Sequence, residues 1–451
     1  MVRGVILIVI DCLRADHLSC YGYHRPTTPT IDDLARRGTL WKRAYSTSSW
    51  TKPSVTSLLT GLYPSQHRSF QGIKRSKGQL TVTTDVLRSS EPTLAESLSR
   101  VGWRCGAFIN NAQLGEFSRL NRGFDVYVPN AGKADHLLKL FADWLESAPD
   151  QPAFTYLHFL EAHWPYKPRR RHIAAFGGDR DTNIYRDFSA RDYGRLRRSV
   201  SRGQTSLTDE QLNQMIQMYD GAVRRLDGKV KKVLDILERA GMLEQTAVLV
   251  TADHGEEFMD HGRIGHGHSL YEELIHVPLV AVVPDGPQGI RIRQPVSHVD
   301  LAATILAMAG EAERMGGRDL LSSDPRPRPV ISELLIRDRY SQAAVTRRWK
   351  LHRRFQHRAN GSHNGTALAA PKWMDTDENR HPCELYDLVG DPKEQVELYG
   401  NQSLWAPRNM MIKRLEQWWA ETSDDLAPEP AQPIELEPVV VERLRALGYL
   451  D

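Results

Sequence analysis

The sequence predicts an α/β fold: a large, mostly parallel sheet sandwiched by helices, with a smaller α+β unit behind it. Three observations carry that expectation. Short apolar runs end abruptly in polar residues, amphipathic helical patterns lie between them, and the texture changes after about residue 310. Short uninterrupted apolar runs suit strands covered on both faces, as in parallel sheets. A chain of 451 residues can bury one large core and a second, smaller one.

The first run, Val5 to Ile10, is stopped by Asp11. It is too short to cross a bilayer and lacks the cleavage region of a signal peptide. Thr51 then reads as a helix N-cap, Pro53 as a first-turn residue and Gly61 as the stop. Helical spacing covers Glu91 to Arg100. Cys105 to Ile109 runs into Asn110, and Ala153 to Phe159 leads to Glu161 and His163. Ala247 to Val250 leads to Asp253-His254, and Val277 to Val283 forms a later strand. Within Asp220 to Ala240, Val223, Leu226, Val230, Val233, Leu234 and Leu237 form the stripe of a core-facing helix. Residues 167–208 are polar and Arg-rich with little apolar periodicity, which suits a lid, a binding loop or a solvated excursion. Further on, Pro329 to Leu335 and Ala343 to Leu351 read as strands, Glu384 to Pro392 as a turn-rich stretch, and Met410 to Thr422 as a helix. A Pro-rich linker, Ala427 to Pro433, leads to a last helix, Val439 to Leu447. The expected division is a catalytic domain over 1–310, a small α+β domain over 311–425, and a linker with terminal helix over 426–451.

Composition narrows the function classes. Hydrophobic content of 40% and charged content of 25% are ordinary for a soluble globular protein. A net charge of +3 is too mild for nucleic acid, but compatible with an anionic substrate. The four cysteines are scattered without metal or redox spacing, and no segment reads as transmembrane. A cytoplasmic protein is the expectation; nothing in the sequence fixes its oligomeric state.

Asp11, His163 and Asp253-His254 each follow a strand-like run. Open α/β sheets collect ligands beyond the carboxyl ends of their strands, so one sheet edge can gather these residues. Thr51 at a helix start sets its hydroxyl beside free N–H groups and the positive end of the helix dipole, which suits an anion.

Taken together, Val9-Ile10-Asp11 with Arg14 and Asp16, Ser49 to Gly61, His163-Trp164-Pro165-Tyr166, Asp253 to Glu257, His266 to Glu272, Val277-Pro278-Leu279, Glu384 to Leu388 with Asp391-Pro392, and Arg443 to Leu450 resemble the sulfatase family of the alkaline-phosphatase superfamily. The resemblance spans nearly the whole chain in the family's order. The departures are equally specific. Where sulfatases carry C/S-x-P-x-R, this chain reads Thr51-Lys52-Pro53-Ser54-Val55, so no formylglycine is expected and the arginine position is Val55. The second acidic residue of the first metal loop is Cys12, the Asp-Asn pair is Asp253-His254, and Ile109-Asn110-Asn111 replaces a lysine-bearing segment.

The resemblance implies one divalent ion held by Asp11, Asp253, His254 and Thr51, with Mn²⁺ or Zn²⁺ favoured by the imidazole and Ca²⁺ or Mg²⁺ as alternatives. It implies Thr51 as nucleophile, and His163 and His266 as contacts for the transferred group or acids for the leaving group. Lys52, Asn110 and His268 are expected to bind substrate, with a solvent-facing role the alternative for Lys52. His261 and His268 are the weaker candidates for a second ion. Asp300 reads as a helix cap, and Cys12 as a small buried filler. The expected activity is hydrolysis of a small anionic ester (sugar, lipid head group or nucleotide), with a phosphodiester or phosphonate favoured. The alternatives are a sulfuric ester hydrolase, a phosphotransferase, and a non-catalytic binder of anionic sugars or head groups.

Overall fold

The computed structural model describes residues 2–71, 74–75, 81–178, 193–311, 315–322, 328–336, 339–356, 383–422, 434–435 and 440–442. Its centre is an eight-stranded sheet built from β1 (Gly4–Ile10), β2 (Thr39–Trp41), β3 (Arg104–Ile109), β4 (Val126–Val128), β5 (Ala153–Phe159), β6 (Thr246–Ala252), β7 (Leu279–Val282) and β8 (Ile290–Ile292). Across the sheet the order is β8-β2-β7-β6-β1-β5-β3-β4. Only β7 runs against its neighbours. β1 is central and every residue in it is buried. Sinking Val5, Ile6, Leu7, Ile8, Val9 and Ile10 contributes on the order of 10 kcal/mol.

Helices cover the sheet: α1 (Pro29–Arg37), α2 (Thr51–Thr60), α3 (Leu94–Arg100), α4 (Ala134–Glu146), α5 (Arg170–Ala174), α6 (Tyr193–Ser201), α7 (Asp209–Arg239) and α8 (Val299–Met308). α7 starts eleven residues before the apolar stripe suggests, because Thr208 and Gln211 form a capping box. The Thr208 hydroxyl accepts from Gln211 N at 3.2 Å and the Gln211 amide oxygen accepts from Thr208 N at 3.0 Å. The Arg-rich insertion is more ordered than its polarity suggests. It contains α5 and α6, and Tyr193, Leu196 and Val200 bury one face of α6; residues 179–192 of it lie outside the described residues.

Behind the main sheet, β9 (Val330–Ile336), β10 (Arg339–Val345), β11 (Trp349–Gln356) and β12 (Cys383–Asp387) form an antiparallel meander, against which α9 (Trp405–Thr422) packs. The expected single strand Ala343 to Leu351 is instead a hairpin: Thr346 N donates to Trp349 O at 2.9 Å and turns the chain. The meander braces the segment before α2, since Glu333 N donates to Thr47 O at 2.7 Å and Ser332 Oγ to Ser46 O at 2.6 Å. A buried ion network secures the seam: Lys350 Nζ donates to Glu394 at 2.9 Å and Glu272 at 3.0 Å, and His352 pairs with Glu394 at 2.8 Å. The Pro-rich linker, most of the expected last helix and the Arg443 to Leu450 tail lie outside the described residues, of which 440–442 are helical. Among the described residues, no helix is long and apolar enough to cross a membrane.

Candidate active site

The carboxyl ends of β3, β5, β1 and β6 are adjacent, and the residues at those ends converge. Ile10 is in register with Phe159 and Ala252, and Ile109 with His158. Asp11 and Asp253 therefore leave neighbouring strands side by side, with His158 and Asn111 on the next two. The loop after β1 is held firmly. Cys12 takes φ 60°, a left-handed conformation uncommon outside glycine. Tyr219 accepts from Arg14 N at 2.9 Å and donates to Cys12 O at 2.8 Å, and the Arg14 guanidinium bridges Asp16 and Asp260. Opposite, Gly255 must be glycine: a Cβ there would lie 2.0 Å from Glu273 O.

The helix start differs from the sequence expectation. Trp50 is the N-cap of α2, without a side-chain cap bond, and Thr51 is the first helical residue. Its hydroxyl is thereby spared from capping and faces the strand ends. Thr51 Oγ1 is 3.4 Å from His254 Nε2 and 3.5 Å from Asp11 Oδ2. His254 Nε2 is also 3.6 Å from Asp11 Oδ1 and 3.5 Å from Asp253 Oδ2. Ligands on a tetrahedral ion with bonds near 2.1 Å stand about 3.4 Å apart, so these separations suit atoms that share one cation. Asp253 Oδ2 supports the same fit, being buried without a hydrogen-bond partner among the described residues. Its other oxygen accepts from His254 N at 2.9 Å and from Cys12 N at 3.3 Å. Candidate cation-binding groups are Asp11 with His158 and Asp253, Cys12 with His254 and His266, and Asp11 with Cys12 and His163; within each, the ligand atoms lie within 4.8 Å of one another.

Charge reinforces the geometry. Both carboxylates are fully buried. Burial and then the charge of Asp11 push the Asp253 carboxyl well above the usual range. Burial would raise Asp11 too, but His158, His163 and His254 hold it well below. Asn111 Nδ2 donates to Asp11 Oδ2 at 2.6 Å. Two acids this close need a cation to be ionised together.

A second layer of histidines faces this cluster. The His266 ring lies 4.5 Å from that of His254 and 5.1 Å from that of His163, centroid to centroid. His266 Nδ1 is 2.9 Å from Glu256 Oε2, and Glu256 Oε1 accepts from Tyr193 of α6 at 3.0 Å. Burial pushes His266 down to about 3, so the ring is neutral at pH 7. Glu256 is ionised and accepts the proton on Nδ1, which leaves Nε2 as a lone-pair donor. Arg197 of α6 donates to His266 O at 2.6 Å.

Asp11, Thr51, Asp253 and His254 are thus brought together, with His163 and His266 beside them. Asn110 and His163 line an adjoining cavity of about 220 Å³. Lys52 does not face solvent; it is fully buried, and its ammonium donates to Gln71 O at 3.2 Å, to Thr84 and to Asp85 O, away from Thr51 Oγ1. His268 is paired with Glu257 at 2.6 Å, and His261 lies between Glu273 and Glu394 O, so the two do not share a cation. Asp300 is the second residue of α8, where it accepts from Ser297 N at 2.9 Å, while His298 holds the cap position. Cys12 is more than a filler: its thiol donates to Asp11 Oδ1 at 3.2 Å and lies 3.5 Å from His266 Nδ1. Sequence reasoning missed His158, Asn111, Glu256 and Tyr193. The available signals were a histidine inside an apolar strand and an asparagine beside Asn110; nothing local marks the Glu256–Tyr193 pair.

Residues 3–311 match the Sulfatase family model. The chain is 24% identical to an ulvan-active sulfatase of Formosa agariphila over 344 residues, which cover 70% of this chain and 54% of that protein. It is 25% identical to human arylsulfatase A, over 95% of this chain and 90% of the relative. The fold is shared with the phosphonate monoester hydrolase of Agrobacterium radiobacter, at TM-score 0.68 and 18% identity over 94% of this chain and 96% of that one. The chain spans little more than half the length of the first of these relatives. With residues 3–311 matched and the sheet, the meander and the strand-end cluster in place, this chain belongs to the sulfatase family, with residues compatible with a divalent-metal site.

Proposed function

We propose that the protein hydrolyses a sulfuric ester through the hydroxyl of Thr51, on one divalent cation held by Asp11, Asp253, His254 and Thr51, without formylglycine. The carrying observation is the convergence of those four side chains at 3.4–3.6 Å separations. The sulfate preference is supported by the matched family and by the names of its curated relatives. When bound, the ion supplies Lewis-acid stabilisation of the transferred group and lowers the hydroxyl pKa; the imidazole in the ligand set favours Mn²⁺ or Zn²⁺.

The chain's own residues divide the remaining work. Thr51 Oγ1 attacks sulfur and gives its proton to a buried carboxylate, and the ester oxygen leaves with a proton from His163. Asn111, 3.4 Å from Thr51 Oγ1, orients the nucleophile. His266, neutral with its lone pair on Nε2, takes a proton from the water that cleaves the threonine ester, and the Thr51 oxygen recovers its proton from the carboxylate. A second reading, a phosphodiester or phosphonate substrate, is favoured by Thr51 itself. A threonine ester must be cleared by water or another acceptor, as in a phospho-enzyme, and an alcohol acceptor would make the protein a transferase.

Metal-stripped protein resupplied with Mn²⁺, Zn²⁺, Mg²⁺ or Ca²⁺ and assayed on nitrophenyl sulfate, phosphate, phosphodiester and phosphonate tests this. Metal-restored sulfate turnover lost in Thr51→Ala supports the first reading, and diester or phosphonate turnover the second. No bound metal and no turnover would favour a binder.

A further inference from the structure

Away from the Asp11 cluster, a second concentration of charge lies where α5 packs on α7. A cavity of about 110 Å³ is lined by Arg169, Arg171, His172, Arg224, Arg225 and Lys229, with Lys232 at its edge. No carboxylate lines it among the described residues. The acids that act on the lining do so from outside: Asp135 takes Lys229 and Lys232 at 2.7 Å, Glu161 of the neighbouring cavity interacts with Arg225 and Lys229, and Asp227 interacts with Arg224.

Two donors in this lining lack acceptors among the described residues. Arg171 Nε donates to His172 Nε2 at 3.2 Å, which places the imidazole proton on Nδ1, and that N–H is buried and unpaired. Arg225 Nη1 donates to Lys167 O at 2.6 Å, but its Nε–H is buried and unpaired. Unmet donors inside a positive field are what an anionic oxygen satisfies. Burial, and after it the surrounding arginines, also push His172 down to about 4. Arg225 further lines the 220 Å³ cavity that contains His163, so the two spaces meet at one side chain.

We propose that this cavity binds a second anionic group (sulfate, phosphate or carboxylate) carried on the same substrate molecule whose ester reaches Thr51. The substrate class is therefore multiply charged, with one group transferred and another anchored beyond Arg225. The inference rests on the ester-hydrolase reading only for the role of the first group.

The test is calorimetric binding of a singly and a doubly sulfated disaccharide to the metal-loaded full chain, for wild type, Arg171→Gln and Arg224→Gln. The doubly sulfated sugar should bind about tenfold tighter to wild type. Each variant should bring that preference to within about twofold while keeping its affinity for the singly sulfated sugar, which also reports correct folding. Equal binding of the two sugars by wild type, or a preference that survives both variants, overturns the proposal. Equal binding of the sugars together with a site for inorganic sulfate that Arg171→Gln removes would overturn it in favour of a free anion. Turnover is measured separately: preference without turnover counts against the hydrolase reading alone, and turnover without preference against this proposal alone.

Discussion

Replacing Asp253 by asparagine should abolish metal binding and yet stabilise the metal-free protein. Asp11 and Asp253 offer oxygens within 4.8 Å of each other, with His158 alongside. Two full charges at that distance repel by about 3.5 kcal/mol at an effective dielectric near 20. The relief is smaller than the full repulsion, because the pair also lowers its cost by taking up a proton. The sign follows from Asp253, whose folded pKa is raised by burial and then by Asp11. An acid with a raised folded pKa makes its stabilising contribution below the unfolded value near 4 and loses it as pH climbs towards the folded value. Metal-free wild type should therefore lose stability as pH rises above about 4, and Asp253→Asn should lose less. For 451 residues the unfolding entropy makes each kcal/mol worth about 1 °C of midpoint. Metal-free Asp253→Asn should thus melt about 1–3 °C above metal-free wild type at pH 7.5. Adding Mn²⁺ or Zn²⁺ at a thousand times its dissociation constant should raise wild type by about 4 °C and the variant hardly at all. Differential scanning fluorimetry with and without chelator reads all four states. A metal-free variant that melts below wild type, or one that gains as much from metal, would refute the reasoning.

Other perturbations separate the parts of the site from those of the frame. Glu256→Ala should lower kcat about 10–100-fold with little change in KM, because His266 loses the acceptor that fixes its tautomer; Tyr193→Phe should do the same more mildly, by steady-state kinetics. Lys350→Ala strands Glu394 and Glu272 at the seam and should cost about 3–5 kcal/mol in urea unfolding. Glu333 is pushed up to about 7, first by burial and against the bonds from Tyr340 and Ser65. Its contribution is full below about 4.5 and falls as pH rises to 7, a swing of about 3 kcal/mol that Glu333→Gln should erase from the pH dependence of urea unfolding.

Much of the frame could be read along the chain, because the strands of a covered parallel sheet advertise themselves as apolar runs. Asp11 and Asp253 were marked by their place at the ends of two such runs, and the runs proved adjacent in the sheet. His158 was marked only as a histidine inside an apolar strand, and it is the pairing of β5 with β1 that sets it beside Asp11. Thr51 was marked as a helix start, yet it stands one position inside; with Trp50 in the cap, the hydroxyl is left to the strand ends. Lys52 reads in the sequence as a substrate contact or a solvent-facing charge, because a lysine gives no local sign of burial, and three acceptors between Gln71 and Asp85 decide its place. In the Tyr193–Glu256–His266 chain, Tyr193 lies 63 residues before Glu256, and only the docking of α6 brings it there.

The central claim is that Thr51 carries the transferred group. Mass spectrometry of the Thr51 peptide, from metal-loaded protein quenched in acid during turnover of the best nitrophenyl ester, tests it directly. The account predicts a sulfuryl or phosphoryl adduct on Thr51 that appears only with metal, and no turnover in Thr51→Ala. Undiminished turnover by Thr51→Ala, or an adduct on another residue, would contradict it.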